Sequence, residues 1–506
     1  MKFNNLSKIS SNILISRITG LFRDILFANF LGASLLSDAF MFAFRLPNLF
    51  RRILAEGAIN SVFIPLYLDQ NNQSKKDSST FFSMIFILLL FITSILSGFV
   101  FFQTEAVISL LAPGFISNKD LLFNSAYLLK ITFPFLIFVS VSALLSSVLN
   151  ANNNFFIPSF LSVILNISMI ITLFIYKDHS HIQLAWSILL SGFIQLLLLL
   201  INFKILKITF NFTFQLSKSL VKALNLFFIR ILQSIVGAGI VQLNIFISMI
   251  FASLVGGGAI SQMYYADRII DLPFALIAVA ISTTLLPYLS KNTNDIKKCS
   301  EAFNKSIIFC LIFAAPSTVG ILLISEEIIS VLFGRGKFDS SDISITASLL
   351  TIYAFSLPAY MVSRMLNQIF YSFQKVYLPI IASIPTFIIN LLICFFVYKK
   401  YGVLGLAFSS VVSVWFNVIF QLLILKFKIP SFYHNIKIFN YKKIFKIFIA
   451  LIALSISLFL ISKIQIINPY FDLFLKLTIG CSIYFIVLRI VCLDEIKILF
   501  SKYSFN

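Results

Sequence analysis

The stretch FFSMIFILLLFITSILSGFVFF, residues 81–102, contains no charged side chain. At 1.5 Å rise per residue, about 20 such residues in a helix cross the hydrocarbon core of a bilayer. A second stretch, LAWSILLSGFIQLLLLLINF at 184–203, is uncharged as well. Working outward from these two, apolar windows and their polar or Gly/Pro breaks place spans near 10–31, 35–66, 80–103, 122–149, 157–176, 184–206, 221–254, 259–289, 302–325, 343–372, 377–398, 402–426, 443–463 and 470–492, about fourteen in all. The whole chain agrees with its windows. Of 506 residues 59% are hydrophobic and 11% charged, with mean hydropathy +0.99, against about 25% charged in an ordinary soluble chain. A soluble globule is excluded, and the expected fold class is an all-α polytopic membrane protein.

Lys and Arg number 39 against 19 Asp and Glu, a formal charge of +20. In a soluble protein such an excess points to nucleic acid; in a membrane protein it is first a topology signal. With the N-terminus in the cytoplasm, about 21 Lys/Arg fall on inside loops, among them Lys75, Lys76, Lys204, Lys207, Lys297, Lys298, Lys426, Lys442 and Lys443, against about seven outside, such as Lys119, Arg335 and Lys399. Both termini are therefore expected in the cytoplasm, and no nucleic-acid partner is expected. Roughly eleven basic residues are left within or at the ends of spans.

Three short matches recur in one order at nearly one offset. Residues 27–32 (FANFLG) resemble 251–256 (FASLVG), 63–67 (FIPLY) resemble 285–288 (LLPY), and 156–158 (FIP) resemble 377–379 (YLP). Self-similarity at a fixed period is the mark of duplication. Six spans per copy return the chain to its starting side, so two parallel six-helix repeats are expected around a central cavity. The expected divisions are a first lobe at 1–220, a second at 221–428, and two additional helices at 429–506.

The first two spans hold Arg17, Arg23, Asp24, Asp38, Arg45, Arg51, Arg52 and Glu56. Facing lipid, each central charge costs about 2.5–3.5 kcal/mol, so eight cost roughly 20 kcal/mol or more. At about 100° per residue, Ser16, Arg17, Gly20, Arg23 and Asp24 share roughly one third of the first helix's circumference, as a cavity lining would. Pro47 interrupts the second span's hydrogen-bond ladder and re-phases the residues after it, so the helical wheel leaves open which of Arg51 and Arg52 points inward. The eighth span supplies Asp267, Arg268 and Asp271. For Arg45, Arg52, Arg230, Arg364, Lys130, Lys476 and Arg489 ion pairing or snorkelling to the headgroups is the better reading. For Arg17, Arg23, Asp38, Arg51 and Arg268 a functional one is. Surplus guanidinium in a cavity suits an anion such as a diphosphate, because Arg offers a permanently charged planar fork to phosphate oxygens. Asp24, Asp38 and Asp271 would hold the arginines when the site is empty.

Other signals carry less. Gly334-Arg335-Gly336-Lys337 lacks the spacing of a nucleotide-binding phosphate loop, so energy is expected from an ion gradient or the membrane potential, with no cofactor. His179 and His181 without a third ligand read as a solvated loop. Gly256-Gly257-Gly258 reads as a tight turn between spans. The five scattered cysteines read as small core residues, and no catalytic grouping stands out.

The runs Ser16-Arg17-Ile18-Thr19-Gly20-Leu21-Phe22-Arg23-Asp24, Ser37-Asp38-Ala39-Phe40, Arg45-Leu46-Pro47-Asn48-Leu49-Phe50-Arg51-Arg52-Ile53-Leu54-Ala55-Glu56-Gly57-Ala58 and Tyr264-Tyr265-Ala266-Asp267-Arg268 closely resemble the MurJ (MviN) family of lipid II flippases. That family lies within the multidrug/oligosaccharidyl-lipid/polysaccharide exporter superfamily. The resemblance implies a bacterial inner-membrane transporter, not an enzyme, that moves lipid II, the undecaprenyl-diphosphate-linked disaccharide pentapeptide, from the cytoplasmic to the periplasmic leaflet by alternating access for peptidoglycan synthesis. It implies that Arg23, Arg51, Arg268 and Arg17 bind substrate, and that Asp38, with Asp24, Glu56, Ser16 and Asp271, gates or supports the site. It favours Arg51 over Arg52. Some members bind sodium between the seventh and eleventh spans through acidic groups; these regions offer Asn225, Asn244, Thr386 and Asn390 but no carboxylate, so no metal is expected. Membrane lipids and other cell-wall synthesis proteins are the expected partners. The alternatives are an exporter of another lipid-linked anionic oligosaccharide and a non-translocating enzyme of polyprenyl diphosphates.

Overall fold

A chain in lipid must satisfy its backbone N–H and C=O groups internally, so long uncharged runs form helices. The computed structural model describes residues 3–53, 59–177, 180–211, 217–436, 441–464 and 467–491. All regular structure among them is helical. The chain forms two compact units, Met1–Ser261 with Gly336–Phe338, and Gln262–Arg335 with Asp339–Asn506.

The first unit contains α1 (Phe3–Leu31), α2 (Leu35–Arg51), α3 (Asn60–Gln73), α4 (Lys75–Phe102), α5 (Thr104–Leu111), a 3₁₀ turn at Pro113–Ser117, α6 (Lys119–Thr132), α7 (Phe135–Ala151), α8 (Phe156–Ile175), α9 (His181–Ile205), α10 (Lys218–Val255) and the first turn of α11 (Ala259–Pro273). The uncharged run of α4 shows why it is apolar all round. Phe81, Phe82, Ile85 and Leu89 are buried, with Phe81 stacked on Phe63 at 5.5 Å and Phe82 tilted against Phe203 at 5.6 Å. Ile87, Leu90, Phe91, Phe99 and Phe102 of the same helix are exposed, a surface stable only against acyl chains. Gly256, Gly257 and Gly258 all take positive φ, from +60° to +84°, the left-handed turn that glycine admits at no steric cost. The motif region at 334–337 serves the fold: the Lys337 N–H donates to the Asn29 carbonyl of α1 at 2.9 Å.

The second unit contains the rest of α11, a π-helical turn at Phe274–Ala278, α12 (Val279–Lys291), α13 (Ile296–Phe333), α14 (Ser340–Ala354), α15 (Ser356–Ser372), α16 (Leu378–Lys428), α17 (Pro430–Asn435), α18 (Tyr441–Ser462) and α19 (Pro469–Ile490). α14 and α15 meet at a 42° bend. α16 runs for 51 residues, but Gly402 at φ +55° breaks its helical path. α18 and α19 dock on α13 through Ile308, Ile312, Leu454, Leu458, Tyr484 and Leu488. Lys476 of α19, buried, reaches Glu327 of α13 at 2.7 Å and Asp472 at 2.8 Å.

Among the described residues nine helices or helix pairs are long and apolar enough to cross a membrane, and ten if the bent α14–α15 pair is one span. The chain is thus a polytopic helical membrane protein. Within the expected span at 35–66, α2 runs to Arg51 and α3 starts at Asn60, with π-helical backbone at 52–53 and 59; residues 54–58, with Glu56, lie outside the described residues. Three of the cysteines, Cys299, Cys310 and Cys394, are buried and fit the core reading, whereas Cys481 is exposed and Cys492 lies outside the described residues. His179 is outside them too.

Proline inside a helix removes an N–H and leaves the carbonyl four residues earlier without its ladder donor. Three such carbonyls in this chain are met by a hydroxyl from another helix. Pro47 frees the Ala43 carbonyl, which accepts from Thr132 Oγ1 at 2.8 Å. Pro316 frees that of Ile312, which accepts from Tyr484 Oη at 2.8 Å. Pro358 frees that of Ala354, which accepts from Thr318 Oγ1 at 3.1 Å. In a low-dielectric interior an unmet carbonyl costs about 1–3 kcal/mol, so these hydroxyls stabilise the kinked helices and tie them to their neighbours.

Candidate functional site

In the first unit the polar face of α1 meets α8. Arg23 is buried and lies against the adjacent Asp24: Nε donates to Asp24 Oδ1 at 3.0 Å and Nη2 at 2.6 Å. Its Nη1 donates to Asn166 Oδ1 at 2.8 Å. Asn166, the one amide side chain of α8, is held in turn by donating to the Ser16 carbonyl at 3.0 Å and to Thr19 Oγ1 at 3.1 Å. The guanidinium lies 5.3 Å and 5.4 Å from the Phe27 and Phe44 rings, where ring quadrupoles favour a cation. A buried charge is tolerable only when paired and hydrogen-bonded, and each condition is met. Ser16 and Arg17, about two turns earlier, are half-buried.

Asp38 is fully buried near the start of α2. Its Oδ1 accepts from the backbone N–H of Ser261 at 2.8 Å and from Ser261 Oγ at 2.5 Å, while Ser37 Oγ and Ser261 Oγ share a bond at 3.0 Å. Ser261 stands in the first turn of α11, where the unpaired N–H groups and the helix dipole favour an anion. Asp38 is therefore the cap of the helix that carries Asp267, Arg268 and Asp271.

Arg51 ends α2, half-buried, with Nε donating to Asn48 Oδ1 at 3.1 Å, and Arg52 is exposed. Arg51 lines a cavity of about 180 Å³ within the first unit, together with Ser142, Ser146 and Asn150 of α7, Ser162 of α8 and Gln195 of α9.

In the second unit Arg268 is half-buried. Its Nη2 donates to Tyr264 Oη at 2.8 Å, one helical turn back, and its guanidinium lies 4.7 Å from the same ring. Asp267 is half-buried and Asp271 exposed. Arg364 donates through Nε to Ser282 Oγ at 3.3 Å, and Lys476 is held in its triad with Glu327 and Asp472. Thr386 and Asn390 sit in a buried neutral network: Asn417 Nδ2 donates to Thr386 Oγ1 at 3.0 Å, and Ser409 Oγ to Asn390 Oδ1 at 3.0 Å. Among the described residues no three His, Cys, Asp or Glu side chains converge as ligands for a metal would.

The arginines and aspartates were visible as charges in apolar spans. Asn166, Ser261 and Tyr264, which hold them, were not singled out. A lone amide in a span as apolar as α8 is a signal in its own right; Ser261, one serine among many, offers none.

The chain matches the family model described as lipid II flippase MurJ over residues 27–478. It is 34% identical over 500 residues, 94% of each chain, to a probable lipid II flippase MurJ of Buchnera aphidicola subsp. Schizaphis graminum. It is 32% identical over 408 residues, 80% of each, to one of Rickettsia prowazekii. A solved lipid II flippase MurJ in an inward closed conformation superposes with TM-score 0.83 at 28% identity, covering 96% of this chain and 99% of that one. An inward-facing multidrug-resistance MATE transporter superposes with TM-score 0.68 at 15% identity, over 85% of this chain and 98% of that one, a likeness of fold alone. With a family model spanning most of its length and relatives this similar end to end, the chain belongs to the lipid II flippase MurJ family.

Proposed function

We propose that this protein is a lipid II flippase of the bacterial inner membrane, carrying the undecaprenyl-diphosphate-linked precursor from the cytoplasmic to the periplasmic leaflet by alternating access for peptidoglycan synthesis. The observation that carries this reading is family membership along nearly the whole chain, and it is supported by the excess of guanidinium in α1, α2 and α11. Arg23, Arg51 and Arg268 bind the diphosphate, with Arg17 beside them; Asp24, Asp38, Glu56, Ser16 and Asp271 support or gate the site.

Chemically, the buried charge at the site is neutralised by the protein itself. Arg23 is paired with Asp24, so substrate binding is an exchange of anions, phosphate oxygens replacing the carboxylate on a fork that suits either. Asp38, by capping α11 at Ser261, fixes the helix on which Arg268 rides. An inside-negative potential favours outward movement of the anion by about 2.3 kcal/mol per charge per 100 mV, a drive that needs no nucleotide or cofactor.

The finer architecture agrees with the same reading. Counting α1, α2–α3, α4, α6–α7, α8, α9, α10, α11–α12, α13, α14–α15, the two halves of α16 across Gly402, α18 and α19 gives about fourteen spans. In two six-helix copies, 1–220 and 221–428, Gly32 and Gly256 both end a helix at positive φ, and Pro65 and Pro287 both lie inside one. With the basic loops inside, both termini are cytoplasmic.

The test is replacement: cells depleted of their own lipid II flippase and given this gene should resume growth. Failure to grow with the protein present in the membrane would overturn the reading in favour of another lipid-linked substrate.

A further inference from the structure

The cavity beside Arg51 has a chemistry of its own. Ser142 and Ser146, successive turns of α7, are both buried, and among the described residues the Oγ of each has no hydrogen-bond partner. Both hydroxyls line the cavity, with Asn150, Ser162 and Gln195. Buried polar atoms are nearly always satisfied, so two unmet ones facing the same space call for a partner that fills it. Apolar side chains, among them Phe135 of α7 and Leu161 and Leu165 of α8, complete the lining. No carboxylate lines the space, and Arg51 is its one charged lining residue. Ser162 is partly exposed, so the cavity is not sealed.

Hydroxyl and amide groups set among apolar side chains are what a pyranose ring requires, since its hydroxyls and acetamido group radiate from an apolar ring face. The volume, equal to about six waters at about 30 Å³ each, is that of about one ring. A cation in the lining and no anion beside it further select a sugar bonded to a phosphate. Resting on the flippase reading, we infer that this cavity, inside the first unit, is the subsite for the sugar ring linked directly to the diphosphate: Arg51 meets the phosphate, and Ser142 and Ser146 take up ring hydroxyl or acetamido groups. Asn150 and Gln195 supply further donors and acceptors. The protein would then recognise the head group, and distinguish it from a bare polyprenyl diphosphate, inside one unit before any transport step.

The experiment compares two probes on the purified full chain in nanodiscs, lipid II and undecaprenyl diphosphate, which keeps the phosphates and lacks the sugar. Ser142→Ala with Ser146→Ala should weaken lipid II binding by about tenfold, as expected for two lost hydrogen bonds. It should leave undecaprenyl diphosphate binding unchanged. Its melting temperature should hold or rise, because the hydroxyls removed have no partner in the empty protein. Leu161→Trp, which fills the space without removing a polar group, should give the same selective loss. Equal weakening of both probes would overturn the subsite, and so would no change in either, which would leave the cavity to water. Wild-type protein that binds neither probe would instead overturn the flippase reading on which the subsite rests.

Discussion

Under the proposed function, Arg23 serves stability in one state and transport in another. In this structure its charge is balanced by Asp24 and its geometry fixed by Asn166. Removing one member of a buried pair leaves an uncompensated charge, at a cost of about 3–5 kcal/mol. Asp24→Asn should therefore lower thermal stability in detergent by about that amount. Replacing both, Arg23→Met with Asp24→Leu, should recover most of it while transport stays lost. Recovery of neither would show that the pair does not set stability. The charges of this pair were legible in the sequence because ionised groups stand out in an apolar span. Their relation was not: periodicity put Arg23 and Asp24 on one polar face, but the amide that orients the guanidinium is 143 residues away. For Arg51 and Arg52 the wheel failed for a local reason, because Pro47 lies between them and the first turns of α2.

At the level of elements, the prolines decide where helices bend, and the hydroxyls that meet the freed carbonyls decide what the bent helix leans on. Tyr484 is the most informative case, since its hydroxyl bonds the Ile312 carbonyl across 172 residues and joins α19 to α13. Tyr484→Phe should destabilise by about 1–3 kcal/mol, the cost of an unmet buried carbonyl. The same change made with Pro316→Ala should cost much less, because residue 316 then supplies its own N–H to Ile312. Equal costs in both backgrounds would mean that the tyrosine acts by packing alone. Sequence reading found the proline breaks and the uncharged runs, because both are local. It placed two additional helices at 429–506 without naming what they pack against. Their docking on α13 rests on Lys476, Tyr484 and a set of Ile and Leu side chains whose partners hydropathy cannot name.

Across the whole molecule, the proposed function assigns most of the +20 charge to orienting the loops and a small remainder, the arginines of α1, α2 and α11, to the transport chemistry. Exposed Phe, Ile and Leu over the long helices meet lipid, so the energetic problem of the fold lies in its polar groups: charges that must be paired, carbonyls that must be met, and a helix start that Asp38 must cap. The central claim is that these arginines move a diphosphate-linked lipid across the membrane. It is tested most directly by measuring lipid II exposed on the outer leaflet of cells in which this chain is the sole flippase, carrying Arg23→Ala or Arg268→Ala at normal expression. Exposure should fall at least tenfold in each variant, with lipid II accumulating on the inner leaflet; exposure equal to that of the unaltered chain would contradict the account.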